Sequence, residues 1–118
     1  MISKHSEIAI LGAGVGGLTT AITLHQRGFE KIRIYERRET TTTIGAGLVL
    51  WANATKILDK LNLRTELDKV GGVLKEMQRW SNREAFLGAI NIKDINKSMG
   101  STSYSIRRVD LQSILLQK

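Results

Sequence analysis

Four glycines stand within six positions of one short stretch, Ile10–Leu18, which reads ILGAGVGGL. Gly12, Gly14 and Gly17 have the spacing G-x-G-x-x-G, and an acid, Glu36, follows 19 residues after Gly17. Each residue type in that pattern has a task in holding a dinucleotide. The first glycine permits a tight turn out of a strand, the second lets the backbone approach a phosphate with no Cβ in the way, and the third lets a helix pack closely on a sheet. The N–H groups that open such a helix, here at Val15 and Gly16, meet the pyrophosphate, whose charge the helix dipole favours. Glu36 would accept hydrogen bonds from ribose hydroxyls. An acid there suits NAD or FAD, whereas Arg37 and Arg38 suit the 2′-phosphate of NADP, and these residues alone leave the choice open.

Those groups work together only if a strand, a turn, a helix and a second strand position them. Glu7 to Leu11 is a β-branched apolar run ending on glycine, which predicts a buried strand. From Val15 to Arg27, Leu18, Ala21, Ile22 and Leu24 share one helical face, and Gly28 stands where a helix C-terminus favours positive φ. Lys31 to Tyr35 alternates and predicts the second strand. The segment from Arg37 through Gly47 and the short apolar run Leu48–Trp51 read as a loop. Ala54, Ile57, Leu58 and Leu61 predict a helix capped by Asn53, with Leu63, Leu67 and Val70 extending it to Gly71-Gly72. Leu74–Trp80 and Ala85–Ile92 predict a β-hairpin, and residues 93–102 read as polar and exposed. Ser103–Arg107 reads as a short strand, and Leu111, Ile114 and Leu115 open a helical face from Asp110. The class is α/β, a Rossmann-like GxGxxG βαβ unit with further helices and a hairpin.

Composition narrows the function. The chain has 118 residues, 42% hydrophobic and 25% charged, which is ordinary for a globular fold. It has no cysteine, so disulfides, thiolate metal sites and a cysteine nucleophile are excluded. No apolar run approaches a membrane span and MISKHSE lacks a secretion signal's apolar core, so no membrane association and a cytoplasmic location are the expectations. The net charge of +7 invites a nucleic-acid reading. Yet the basic residues are spread among acids with only six aromatics, which favours a surface suited to an anionic cofactor over a nucleic-acid face. His5 and His25 are lone and read as structural, as do Trp51 and Trp80. No catalytic or metal-binding set is legible.

Ile8–Arg37, then Gly45–Leu63 (GAGLVLWANATKILDKLNL), then Ile106–Leu116 (IRRVDLQSILL), resemble in order the N-terminal part of the FAD-dependent aromatic-ring monooxygenases. That class includes p-hydroxybenzoate and salicylate hydroxylases. The resemblance implies FAD in the GxGxxG site, with Glu36 on the adenosine ribose and Arg37 near the adenine. It also implies that Gly45 and Gly47 lie in a segment close to the flavin and that Arg108 reaches the FAD from a helix start, with Arg107 the competing candidate. In the intact enzymes it implies NAD(P)H as reductant and transfer of one oxygen atom from O2 to the substrate. No residue of these 118 then serves as acid, base or nucleophile.

Two departures stand out. Ala52 occupies a position where the family commonly has proline. The family is also much longer, and the rest of it carries further FAD motifs and most of the substrate-binding sheet. Residues 1–118 are therefore expected to be the N-terminal part of an FAD-binding domain, truncated before the substrate domain and the C-terminal FAD motifs, inactive alone, and prone to pair with itself or a complementary polypeptide. The alternatives are a non-catalytic nucleotide-binding or interaction module, or an inactive remnant.

Overall fold

The computed structural model describes residues 2–39 and 46–118. In chain order the elements are β1 (Ile8–Leu11), α1 (Val15–Gln26), β2 (Ile32–Tyr35), β3 (Gly47–Leu50), α2 (Ala52–Lys60), α3 (Arg64–Val70), β4 (Gly72–Val73), β5 (Glu76–Trp80), β6 (Phe86–Asn91), α4 (Ile92–Met99), β7 (Tyr104–Arg107) and α5 (Arg108–Leu116). They fall into two compact units, Met1–Ala46 with Arg108–Lys118, and Gly47–Arg107. Among the described residues no helix is long and apolar enough to cross a membrane.

The first unit is the strand, turn, helix and strand that the glycine pattern requires. β1 and β2 are parallel, with Ile8 opposite Ile32 and Leu11 opposite Tyr35. A parallel pair needs a crossover between its strands, and α1 is that crossover. α1 ends in a Schellman arrangement: Gly28 at φ +87° donates its N–H to His25 O, and Phe29 N–H reaches Leu24 O. α5 packs on α1 and buries Leu111, Ile114 and Leu115, while α1 buries Leu18. The buried strand expected over Glu7–Leu11 is only half-buried. Ile8 and Ile10 turn inward, whereas Leu11 remains 87% exposed, because among the described residues this sheet has two strands.

The second unit holds an antiparallel sheet in the order β3-β7-β4 and the separate hairpin β5-β6. Leu48–Leu50, read from sequence as loop, is strand: Leu48 pairs with Ile106 and Leu50 with Tyr104. The partner that makes it a strand lies far along the chain, out of reach of a local pattern. Asn53 is not the cap of α2. Trp51 is, and the first N–H of the helix, that of Ala52, donates to Ser103 Oγ at 3.0 Å. The core stripe is rotated accordingly. Ala52, Thr55 and Leu58 are buried and Ile57 is 53% exposed.

The helix predicted to run on to Val70 is broken at Asn62, whose φ of +59° lets Leu63 N–H return to Leu58 O. Asparagine tolerates this left-handed conformation better than most residues, so α3 starts afresh at Arg64. Residues 93–102, expected to be polar and exposed, hold α4. Asn91 caps it by accepting Asp94 N–H, and Gly100 at φ +66° ends it. Its buried Ile92 and half-buried Ile95 and Met99 form the inward stripe. Asn96 Oδ1 accepts both Ser103 N–H and Ser103 Oγ–H, so the serine that receives the first N–H of α2 is itself held in place.

Candidate functional site

The site grows from the end of β1. Gly12 N–H donates to Tyr35 O at 2.7 Å, extending the parallel pairing by one residue. Gly12 then takes φ +103°, a conformation that side chains rarely adopt, and the chain turns into α1. The third motif glycine is the tightest. A Cβ on Gly17 would lie 2.0 Å from Gly12 O and 3.3 Å from Ile10 Cγ2, so the helix approaches the strand more closely than any side chain allows.

The other glycines face open space. A Cβ on Gly12, Gly14 or Gly16 would meet nothing within 4 Å. Gly14 is the N-cap of α1, with no side-chain cap and no acid in the first turn. The first i→i−4 bond runs from Leu18 N–H to Gly14 O at 3.0 Å, so the N–H groups of Val15, Gly16 and Gly17 have no acceptor within the helix. Open space, unpaired helical donors and the positive end of the dipole together suit a phosphate oxygen.

Glu36 follows the last residue of β2, and the pairing of Leu11 with Tyr35 sets it beside Gly12. Its Oε2 accepts Ala13 N–H at 2.9 Å and its Oε1 accepts Arg38 N–H at 3.1 Å. These bonds, that from Ala13 foremost, hold its carboxyl below the ordinary carboxylate range. An ionised carboxylate offers about four lone-pair sites. The backbone N–H groups of Ala13 and Arg38 engage it, with a weaker contribution from that of Arg37, and the exposed side chain keeps its remaining capacity for a ligand hydroxyl. A cleft of about 440 Å³ opens at this point, lined by Leu11, Gly12, Tyr35, Glu36 and Arg37. Leu11 and Tyr35 give it an apolar wall that the glycine pattern alone did not signal.

Arg108 begins α5 in the same unit, is exposed, and donates its backbone N–H to Ala46 O at 3.3 Å. One turn later on the same helix face, Gln112 Nε2 donates to Ala13 O at 2.7 Å. Gln112 went unnoticed in the sequence, where a lone glutamine on a helix carries no signal. The unit therefore gathers Gly12, Gly14, Val15, Gly16, Gly17, Glu36, Arg37 and Arg108. Gly47 opens β3 opposite Arg107 in the second unit, and Gly45 lies outside the described residues. His25 is exposed in the last turn of α1, and Trp80 is 56% exposed on the hairpin, edge-on to Phe86.

The fold and the site define a Rossmann-like βαβ unit of the dinucleotide-binding type. Residues 10–44 match the NAD(P)-binding Rossmann-like domain family. The chain is 30% identical to an FAD-dependent urate hydroxylase of Mycolicibacterium vanbaalenii over 94% of its own length and 28% of that protein's. It is 32% identical to a 3-amino-4-hydroxybenzoate 2-monooxygenase of Streptomyces cremeus over 98% of its length and 29% of the other's. Among solved structures, Klebsiella pneumoniae HpxO complexed with FAD and uric acid superposes with a TM-score of 0.82 at 25% identity, over 94% of this chain and 28% of that one. In sequence and fold the chain is similar to FAD-dependent aromatic hydroxylases and monooxygenases, over the N-terminal part of that family. It spans less than a third of the length of these relatives.

Proposed function

We propose that the chain binds FAD through its adenosine and pyrophosphate portion. The observation that carries this reading is the open glycine turn at the start of α1 with the Glu36 carboxylate fixed beside it. Val15 and Gly16 N–H groups take the pyrophosphate, the space at Gly12 and Gly14 admits it, and Gly17 keeps the helix against β1. Glu36 takes the adenosine ribose, Arg37 lines the adenine side, and Arg108 supplies a cation from the start of α5. Gly47 belongs to this set only by family resemblance. When bound, FAD supplies the redox and oxygen-transfer chemistry, with NAD(P)H as reductant; these residues bind and orient it.

Residues 1–118 act on this reading as the N-terminal part of an FAD-binding domain, with the substrate region outside them. Alone they hold cofactor without turnover, in the cytoplasm where NAD(P)H is supplied. Leu11 and the half-exposed β2 residues Ile34 and Tyr35 leave apolar surface at the two-stranded sheet, which favours self-association or a complementary polypeptide. A species heavier than a monomer by light scattering is expected, and a uniform monomer would refute that part.

The test is absorption of purified protein after incubation with excess FAD and desalting. Retained flavin bands, with competition by ADP, support the proposal. Binding of ADP or NAD but never FAD would favour a second reading, a nucleotide-binding module without flavin, which the match to the NAD(P)-binding family also fits.

A further inference from the structure

Two successive peptide units of the glycine turn are each held by a side chain from a distant part of the sequence. The Gly12–Ala13 unit is held through its N–H, which donates to Glu36 Oε2 at 2.9 Å. The Ala13–Gly14 unit is held through its carbonyl, which accepts from Gln112 Nε2 at 2.7 Å. In a trans peptide the C=O and N–H point in opposite directions. Gln112 therefore sets the direction of the Gly14 N–H by fixing the Ala13 carbonyl.

That matters because the turn has little else to hold it. Gly12 and Gly14 have no side chains to restrict their backbone, and glycine has more conformational freedom to lose than any other residue. Gln112, by contrast, stands on a firm support. Its neighbours Leu111, Ile114 and Leu115 are buried, so α5 cannot shift without disturbing the core of its unit.

We propose that Gln112 is a positioning residue of the dinucleotide site, holding the Gly12–Gly14 turn in its phosphate-receiving conformation without touching the ligand. This rests on the reading that the turn receives a pyrophosphate. Glu36 then has two roles, fixing the preceding peptide unit and receiving the ribose, whereas Gln112 has only the first.

The test compares Gln112→Met, which keeps side-chain bulk and loses the donor, with Gln112→Ala, which loses both. ADP affinity is read by calorimetry, and amide hydrogen exchange by NMR on the unliganded protein. Both variants should bind ADP roughly three- to tenfold more weakly, the loss expected for one neutral hydrogen bond. Amide exchange should accelerate at Gly12, Ala13 and Leu18, whose N–H groups are hydrogen-bonded around the turn, while the amides in the middle of α5 stay protected. A methionine variant with wild-type affinity and exchange would overturn the proposal, because bulk rather than the donor would then suffice. Acceleration spread evenly through the unit would also overturn it, by making Gln112 a general stabiliser. If the wild-type chain binds no ADP, the pyrophosphate reading and the proposal built on it both fail. If it binds ADP and the variants bind equally well, only the role of Gln112 fails.

Discussion

Replacing Gly17 with alanine adds one methyl group at the closest approach of α1 to β1. That carbon would lie 2.0 Å from Gly12 O, where real Cβ contacts essentially never fall below 3.0 Å, so the helix and the turn must separate by about 1 Å. The atom it meets is backbone, and a flexible side chain cannot swing away to relieve it. Overpacking of this kind costs about 1–3 kcal/mol. Alanine in a helix offsets up to about 1 kcal/mol of that relative to glycine. The net loss should be about 1–2 kcal/mol, a fall in Tm of roughly 4–8 °C for a chain of this size. Gly16→Ala is the internal control. It sits in the same turn of helix, its Cβ would meet nothing within 4 Å, and it should gain stability from the same propensity difference. Gly14→Ala separates folding from binding. Its φ of −75° and ψ of 179° accept any residue, so Tm should hold, but the methyl group would stand where the phosphate approaches. ADP affinity should fall on the order of tenfold, about 1.4 kcal/mol. Thermal denaturation and ADP titration of the three variants decide the matter. A Gly17→Ala protein as stable as Gly16→Ala would refute the close-approach reasoning, and a Gly14→Ala protein with wild-type affinity would refute the placement of the phosphate.

The folded Glu36 carboxyl has a lowered pKa, so its contribution to stability is present above the ordinary carboxylate range and is lost as pH falls through the folded value. Acid titration of Tm should therefore be shallower in Glu36→Gln than in wild type; parallel curves would count against the Ala13 bond. Tyr104, fully buried, is pushed up to about 12 by that burial and by the hydrogen bond it donates to Asp68. Its contribution is complete below the unfolded tyrosine value near 10 and disappears as pH rises through 12. Denaturant unfolding should show Tyr104→Phe about 1–2 kcal/mol less stable at pH 8, with the gap narrowing from pH 10 upward; a constant gap would refute the assignment. Ala52→Pro removes the N–H that reaches Ser103 Oγ, although proline suits a first helical position. In a double-mutant cycle with Ser103→Ala the proline should become about 1 kcal/mol less costly, and strict additivity would exclude that hydrogen bond as the reason alanine is accommodated there.

The sequence by itself determined the strand, glycine turn, helix and strand, because every part of that unit is local. The glycine spacing, the stripe of Leu18, Ala21 and Ile22, the stop at Gly28 and the acid after the second strand all lie within 30 residues of one another. The helix from Arg108 and the hairpin were legible for the same reason, the one from a stripe and the other from two runs around a turn. The signals of α4 were also local, but its cap at Asn91 and stop at Gly100 enclose so polar a segment that only the inward stripe of Ile92, Ile95 and Met99 identifies it.

What only the tertiary structure decided depends on partners distant in sequence. Leu48–Leu50 becomes strand because β7 pairs with it, and α2 starts at Ala52 because Ser103 accepts its first N–H, which no reading of residues 45–63 could supply. In the site the same holds for Gln112. A glutamine on a helix has no periodic or compositional signature, and its place beside Ala13 arises from the packing of α5 on α1, 99 residues further along the chain. Local patterns chose where a phosphate could be received, and long-range contacts chose what holds that place in shape.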